Sequence, residues 1–397
     1  MTRPLLVPRL AEFGDTIFAE MSALAARTGA VNLGQGFPDT DGPEEVKQAA
    51  AEALRGGYNQ YPPLPGHAEL RHAISEHQER FWGLSYDPDT EVLVTAGATE
   101  AIAAAMLSLC DRGDEVITFE PYYDSYAASI ALSGATRRVV TLRPDDGIWR
   151  FDADELRAAV GPSTRLILLN TPHNPTGKVF TREELTVIAE LACEHDLLVV
   201  ADEVYEHLVF EGEHIPISSL PNMRERTIQI SSGGKTFSFT GWKVGWACAP
   251  PEIIAAIRTS KQFLTFVNAG PFQPAIAVGL RLPDSYFDGL VEELRAKGDF
   301  VADRLEEVGF EVMRPQGTYF VTADIRPFGE TDGRAFCLNL PERAGVVAVP
   351  TVVFYDNKEE GSHIIRFAFP KKQELLTEAM NRLQAGLQGP ERERVER

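Results

Sequence analysis

Short apolar runs alternate with helix-like stretches between about residue 90 and residue 250. The runs are rich in Val, Ile and Leu, and the stretches between them carry helix-forming residues such as alanine. This alternation is typical of a mostly parallel sheet covered by helices on both faces. The pattern predicts an α/β domain with strands at 91–95, 115–119, 138–142, 165–169, 197–201, 227–230 and 244–248.

After about residue 250 the pattern changes. A long helix is predicted over 284–308, followed by strands at 311–313, 318–323, 346–349 and 363–369, a helix near 334–343 and a last helix from Lys372. These elements indicate a smaller α+β domain. We therefore predict an N-terminal segment joining the small domain and the active-site pocket (1–45), a large domain (46–283), the small domain (284–388) and a charged, disordered tail (389–397).

Composition narrows the possible partners. The 397 residues are 44% hydrophobic and 24% charged, as in ordinary globular proteins, and the net charge is −20. Such a charge argues against nucleic acid or an anionic membrane as a partner. No metal-ligand spacing and no signal-like apolar segment stand out, so we expect no metal and a cytoplasmic location. Four scattered cysteines are predicted to be core or near-core thiols: Cys110, Cys193, Cys248 and Cys337.

Lys235 is the first candidate for chemistry. It follows the run 227–230 within a loop of serine and glycine, Ser231-Ser232-Gly233-Gly234. A desolvated lysine amine can form a Schiff base with an aldehyde cofactor, and small neighbours let a bulky ligand approach the backbone. The alternative is a surface loop after an edge strand.

Two further runs end in polar residues, and ligands of such sheets bind beyond the carboxyl ends of the strands. Asp202 directly follows 197–201 and is suited to pair with a pyridinium nitrogen, with Tyr205 three residues later. Asn174 lies in a proline-rich turn after 165–169, which would fix its amide. The alternative for Asp202 is that it only marks a strand entering solvent, and the alternative for Asn174 is a plain turn. Lys178 in the same turn is expected to be solvated.

Two more strand ends suit a phosphate and an aromatic ring. Ala98 and Thr99 open a helix after 91–95, and free N–H groups at a helix N-terminus bind phosphate. Ser232 and Lys243 would add a hydroxyl and a cation. Three tyrosines follow 115–119, and one of them would stack on a heteroaromatic ring: Tyr122, Tyr123 and Tyr126.

With these residues the chain resembles the class I/II aminotransferases, the pyridoxal-phosphate enzymes of fold type I, from about residue 10 to residue 388. It is most similar to the kynurenine–oxoglutarate, glutamine and methionine subgroup, and within it to actinobacterial N-succinyldiaminopimelate aminotransferases. The matching segments are 31–39, 59–61, 174–177, 202–205, 235–237, 241–246 and 365–367.

The resemblance implies a fold and a set of roles. The fold would be a seven-stranded, mostly parallel sheet between helices, joined to a smaller α+β domain. Lys235 would bond to the cofactor and move the substrate proton, Asp202 would hold the pyridinium, and Asn174 and Tyr205 would contact the ring oxygen. The remaining roles are ring stacking by Tyr123, phosphate binding by Ala98, Thr99, Ser232 and Lys243, phosphate contact across a homodimer by Tyr61, carboxylate binding by Arg366, and a side-chain pocket formed by Gly36 with the loop 32–38 and by Phe18.

The implied reaction is transfer of an amino group from an L-amino acid to a 2-oxo acid such as 2-oxoglutarate by a ping-pong route. Phe18, and the segment 266–271, depart from the residues of kynurenine-using relatives. The pocket aromatics favour an apolar, aromatic or methionine-like donor. An N-succinyl donor needs another cation, for which Arg27 and Lys261 are the candidates. Two alternatives stay open, a β-lyase of cysteine S-conjugates and a cofactor-sensing regulator.

Overall fold

The computed structural model describes residues 5–14 and 16–388. Its strands are β1 (Val31–Asn32), β2 (Val92–Thr95), β3 (Glu115–Glu120), β4 (Thr136–Thr141), β5 (Arg143–Asp145), β6 (Ile148–Arg150), β7 (Thr164–Asn170), β8 (Leu198–Asp202), β9 (Thr227–Ser232), β10 (Gly245–Cys248), β11 (Glu311–Met313), β12 (Phe320–Asp324), β13 (Val346–Val347), β14 (Val349–Pro350) and β15 (Ile364–Ala368).

Its α-helices are α1 (Ile17–Thr28), α2 (Glu44–Arg55), α3 (Ala68–Trp82), α4 (Gly97–Leu109), α5 (Asp124–Ser133), α6 (Ala153–Ala159), α7 (Arg182–Glu194), α8 (Gly233–Thr236), α9 (Pro251–Leu264), α10 (Phe272–Leu280), α11 (Asp284–Val308), α12 (Gly333–Ala344), α13 (Lys358–Gly361) and α14 (Gln373–Leu387). Short 3₁₀ helices lie at Pro8–Leu10, Ile217–Ser219, Thr240–Trp242, Arg326–Phe328 and Thr351–Phe354. In the described residues no helix is both long and apolar enough to cross a membrane.

Within the described residues, the large sheet has seven strands in the order β2-β10-β9-β8-β7-β3-β4. Only β10 runs antiparallel to its neighbours. The predicted mostly parallel sheet is therefore confirmed, and the carboxyl ends of β2, β3, β7, β8 and β9 meet at one edge. Because β10 runs the other way, the chain enters it at that same edge, and Lys243 lies there.

Helices cover both faces of this sheet. Alternate side chains of β7 enter two different cores, because successive strand residues point to opposite faces. Ile167 and Leu169 pack with Leu185 and Ile188 of α7, while the other face packs against α4 and α5. A capping box begins α7, in which the side chain of Thr181 accepts from the backbone N–H of Glu184 and the side chain of Glu184 accepts from the backbone N–H of Thr181.

A second sheet, β11-β12-β15-β14, is antiparallel throughout. Its core includes side chains of α11, α12 and α14, and also Ile17, Met21 and Leu24 of α1. The N-terminal segment packs on this domain through the parallel pairing of β1 with β13, because Val346 and Val347 of β13 belong to the same core. This pairing brings the loop after β1 next to β12 and β15. The domain boundaries themselves stay a prediction.

Several local predictions were wrong. The run 346–349 is two strands, because Val346–Val347 pairs with β1 and Val349–Pro350 pairs with β15. Lys235 lies in the one-turn helix α8 rather than a loop. Lys178 is buried rather than solvated, because its amine pairs with Glu184 at 2.8 Å. The cysteines are buried except Cys193, which is half-buried, and the predicted tail lies outside the described residues.

A buried polar cluster lies between α3 and the segment after β8. Nε2 of His77 lies 2.8 Å from Nε2 of His207, and Glu206 accepts hydrogen bonds from Ser231 at 2.6 Å and from Trp82 at 2.8 Å. The two histidines and Glu206 offer ligand atoms within 4.8 Å of one another, although no metal spacing was visible in the sequence. Since these atoms already have protein partners, we interpret the group as a hydrogen-bond cluster.

This cluster makes stability depend on pH. Burial lowers the pKa of His77 from 6.5 to about 3 and lowers that of His207 well below 6.5. Below about pH 6.5 the unfolded chain therefore binds more protons than the folded chain. The free energy of unfolding consequently falls as the pH drops below about 6.5, by up to roughly 1.4 kcal/mol per pH unit for each histidine. We expect the urea midpoint to fall between pH 7.5 and 5.5, and to fall less in His77→Gln. The exposed His72→Gln is the control and should match wild type; equal pH dependence in all three proteins would contradict this account.

Candidate active site

The five strand ends singled out in the sequence open into one cavity. It lies between the large sheet and the loop after β1, with β12 and β15 of the small sheet on its far side. Nearly all predicted site residues line it: Phe18, Gly36, Ala98, Thr99, Tyr123, Asn174, Asp202, Tyr205, Ser232, Lys235, Lys243 and Arg366. Tyr61 does not line it. Its side chain is 82% exposed and packs against Phe266, with ring centroids 5.5 Å apart.

Lys235 reaches the cavity from α8, directly after β9. Its amine donates a hydrogen bond to the hydroxyl of Tyr319 at 3.1 Å and lies 5.6 Å from the ring centroid of Tyr205. The two glycines before it lie in close contact with neighbours, because a Cβ on Gly233 would come 2.8 Å from Ile276 and one on Gly234 would come 3.1 Å from Cα of Thr240. The serine–glycine sequence therefore serves close packing that places the amine in the cavity.

Asp202 ends β8 as a buried carboxylate. It accepts hydrogen bonds from the hydroxyl of Tyr126 at 2.6 Å and from the backbone N–H of Val204 at 3.3 Å. Burial raises its pKa to about 6, while the hydrogen bond from Tyr126 and the charge of Lys235 oppose that rise. The site thus holds an acid that benefits from a cationic partner.

One end of the cavity is built to receive an anion. Gly97, at φ +74°, begins α4, and no side chain caps this helix, so the backbone N–H groups of Ala98 and Thr99 are available to a ligand. A Cβ on Gly97 would come 3.0 Å from the amine of Lys243, and one on Gly245 would come 2.5 Å from the carbonyl carbon of Gly97. The glycines therefore let a lysine amine lie beside the helix N-terminus. Burial, followed by the charge of Lys235, lowers the pKa of Lys243.

Arg366 lies on β15 at the opposite end. Its Nη1 donates to Oδ1 of Asn174 and its Nη2 to the carbonyl of Gly34, both at 2.9 Å. The guanidinium lies 4.1 Å from the ring centroid of Phe320 and 5.2 Å from that of Phe18. Its Nε is buried and has no hydrogen-bond partner among the described residues. Burial lowers its pKa to about 10, which leaves the group a cation at neutral pH.

A family model for aminotransferases of class I and II matches residues 28–383. The chain belongs to this family. This aminotransferase is 51% identical over 388 residues to a probable N-succinyldiaminopimelate aminotransferase of Mycobacterium tuberculosis, covering 96% of this chain and 98% of that one. It is 41% identical over 386 residues to the methionine aminotransferase of Escherichia coli, covering 96% of this chain and 99% of that one.

Solved structures show the same likeness. The structure of N-succinyldiaminopimelate aminotransferase from Mycobacterium tuberculosis superposes with a TM-score of 0.94 at 52% identity, covering 96% of this chain and 99% of that one. The predicted family, the fold type and the aminotransferase function are therefore confirmed. The roles of the individual residues stay predictions.

The sequence did not single out several residues that line the cavity or contact those that do. Tyr126 was noted only as one of three aromatics, yet its hydroxyl binds Asp202. Asn170 donates to the carbonyl of Asp202 at 2.8 Å and accepts from the backbone N–H of Asn174 at 2.7 Å. The β7–β8 register places Asn170 opposite Asp202, and the sequence alone gives no register. Two more were missed: Tyr319 and Phe320.

The residues present fit the cofactor that this family uses, pyridoxal phosphate. A phosphate suits the anion-receiving end, a protonated ring nitrogen suits the carboxylate of Asp202, and an aldehyde suits the amine of Lys235. Arg366 lines the cavity with a guanidinium cation, which suits a substrate carboxylate. The donor set of the cavity therefore agrees with the family's cofactor and with an amino-acid substrate.

Proposed function

We propose that this aminotransferase binds pyridoxal phosphate in the cavity and moves an amino group from an L-amino acid to a 2-oxo acid by a ping-pong route. The observation that carries the proposal is the grouping, in one cavity, of a lysine amine, a buried carboxylate and an anion-receiving helix N-terminus with Lys243 beside it. When bound, pyridoxal phosphate supplies an aldehyde that reacts with amines and a ring that accepts electrons from Cα.

The residues of the chain divide the remaining work. Asp202 would keep the ring nitrogen protonated, because its buried carboxylate gains a cationic partner. The backbone of Ala98 and Thr99, with Ser232 and Lys243, would hold the phosphate. The aromatic ring of Tyr123 would stack on the cofactor ring.

The amine of Lys235 would bond to the cofactor aldehyde when no substrate is present. Once the substrate amine takes that place, Nζ of Lys235 would accept the proton from the substrate Cα. Asn174 and Tyr205 would contact the ring oxygen. Arg366 would hold the α-carboxylate and so orient Cα toward the lysine.

The donor we propose has an apolar, aromatic or methionine-like side chain, because Phe18, Phe37 and Phe320 line the cavity. The second candidate is N-succinyldiaminopimelate, which the 51% identical relative favours. Neither cation considered for it lines the cavity: Arg27 is exposed, and Lys261 donates to the carbonyl of Phe266 at 2.6 Å.

A donor comparison tests this choice. Steady-state kcat/KM values are measured with 2-oxoglutarate as acceptor, for methionine, glutamine, phenylalanine, kynurenine and N-succinyl-LL-diaminopimelate. We expect methionine or an aromatic donor to give the largest value. If kcat/KM for the N-succinyl donor is at least tenfold larger than for every other donor, the second candidate is the better one. Release of pyruvate from a cysteine S-conjugate without amino transfer would indicate β-lyase chemistry.

We also propose that the active form is a homodimer in which Tyr61 of one subunit contacts the phosphate bound by the other. Tyr61 and Phe266 pack together at the surface, and Phe263, three residues before Phe266 in the sequence, is 84% exposed. Exposed aromatic patches of this kind mark protein interfaces. Sedimentation at micromolar concentration should give the mass of two chains, and a single-chain mass with full activity would refute the shared site.

A further inference from the structure

The hydroxyl of Tyr319 lies between the lysine of the active site and the loop that lines the substrate pocket. It accepts a hydrogen bond from Nζ of Lys235 at 3.1 Å and donates one to the carbonyl of Gly36 at 2.7 Å. A phenol has a single proton to donate, so Gly36 uses the only donor and Lys235 occupies an acceptor position. The hydroxyl thus joins two parts of the site that are far apart in sequence.

The surroundings hold this tyrosine in a fixed position. Its ring packs edge-on against Tyr205 and Phe320, with centroids 5.2 Å and 4.9 Å away. Its carbonyl accepts from the backbone N–H of Phe369 at 3.0 Å, and the preceding Thr318 donates to the carbonyl of Leu208 at 2.8 Å. Side chain and backbone are both anchored, so the hydroxyl offers the lysine a defined position.

The loop on the other side of the hydroxyl is tied to the carboxylate-binding end of the cavity. Arg366 donates to the carbonyl of Gly34, two residues before Gly36. A Cβ on Gly36 would come 2.6 Å from Phe320, the ring over which Arg366 lies. The loop that contains Gly34 and Gly36 therefore contacts Tyr319, which binds the lysine, and also contacts Arg366.

We propose that Tyr319 is a positioning residue for Lys235. Its hydroxyl holds the amine whenever that amine is not bonded to the cofactor, and it sets the amine relative to the pocket loop through Gly36. This role rests on the proposed function, since it concerns the lysine that reacts with pyridoxal phosphate. It differs from the role of Tyr205, which is proposed to contact the cofactor itself.

The test compares Tyr319→Phe with wild type and with Tyr355→Phe. Tyr355 is also fully buried, and its hydroxyl has no hydrogen-bond partner among the described residues, so its removal is a matched control. Full-length protein freed of cofactor is mixed with pyridoxal phosphate, and the rate of covalent capture is followed by absorbance from pH 6 to pH 10. In parallel, the Kd for pyridoxine 5′-phosphate is measured; this analogue has no aldehyde and cannot bond to Lys235.

We expect Tyr319→Phe to bind pyridoxine 5′-phosphate as wild type does, which also reports that it is folded. Its capture rate on the high-pH plateau should be about threefold to tenfold lower, the range that one hydrogen bond supplies. Tyr355→Phe should match wild type in both measurements.

Two results would overturn the positioning role. One is a plateau rate within twofold of wild type. The other is an equal loss of affinity for pyridoxine 5′-phosphate, which would indicate general damage to the cavity. If wild-type protein binds neither ligand, the proposed function fails and this inference falls with it.

Discussion

We expect Lys235→Ala to lower kcat for amino transfer by about 10²-fold to 10⁴-fold, because the proposed proton transfer by Lys235 would be lost, and further because the proposed covalent attachment would be lost. The amine of Lys235 lies inside the cavity, 5.6 Å from the ring centroid of Tyr205 and 5.8 Å from that of Tyr319. The other lysine that lines the cavity, Lys243, lies beside the start of α4 and is assigned to the phosphate.

The measurement is the steady-state kcat for transfer from a saturating amino acid donor to 2-oxoglutarate, with Lys47→Ala as the control. Lys47 pairs with Glu44 at the surface at 2.7 Å, so its loss should leave kcat within about twofold of wild type. The affinity of Lys235→Ala for pyridoxine 5′-phosphate should stay close to that of wild type, because that ligand does not react with the lysine. A Lys235→Ala protein with more than a tenth of wild-type turnover would contradict the assignment.

Arg366→Lys is expected to give the second-largest effect. It keeps the positive charge but removes the planar fork that donates to Asn174 and Gly34 and lies over Phe320. Truncating one side of a buried, hydrogen-bonded charge pair costs about 2–5 kcal/mol, so kcat/KM for L-amino acid donors should fall about 30-fold to 5,000-fold. Most of the loss should appear in KM, because the arginine is proposed to bind the carboxylate.

A donor without a carboxylate separates this role from general damage. The preference for an amino acid over the corresponding amine should shrink in Arg366→Lys by the same factor as kcat/KM. Arg343→Lys, which changes an exposed arginine paired with Glu330 at 2.6 Å, is the control and should keep the preference. An unchanged preference in Arg366→Lys would show that the carboxylate binds elsewhere.

Much of this architecture follows from local patterns in the sequence. The buried strands of the large sheet are short runs of branched apolar residues, and the helix over 284–308 begins after a proline and ends before Gly309 as predicted. The candidate residues could be grouped because parallel strands share one edge for their carboxyl ends. That rule and the family resemblance together predicted the site residues, and twelve of them line one cavity.

The parts that could not be predicted depend on register and on contacts between distant segments. Nothing local to Tyr126 indicates that α5 presents its hydroxyl to Asp202, and nothing near Tyr319 indicates Lys235, which is 84 residues away in sequence. Lys178 was wrongly expected to be solvated because its turn is polar, whereas Glu184 of the following helix meets its amine in a buried position. The contact of Tyr61 with a partner is a property of two chains and stays a prediction.

Pyridoxal-phosphate-dependent amino transfer is tested most directly by an absorbance titration of purified protein with pyridoxal phosphate, followed by an amino acid donor and then by 2-oxoglutarate. We expect a yellow protein whose visible band is lost on addition of the donor and restored by the 2-oxo acid, with no such change in Lys235→Ala. A protein that stays colourless with pyridoxal phosphate, or whose band does not respond to any donor, would contradict the proposed function.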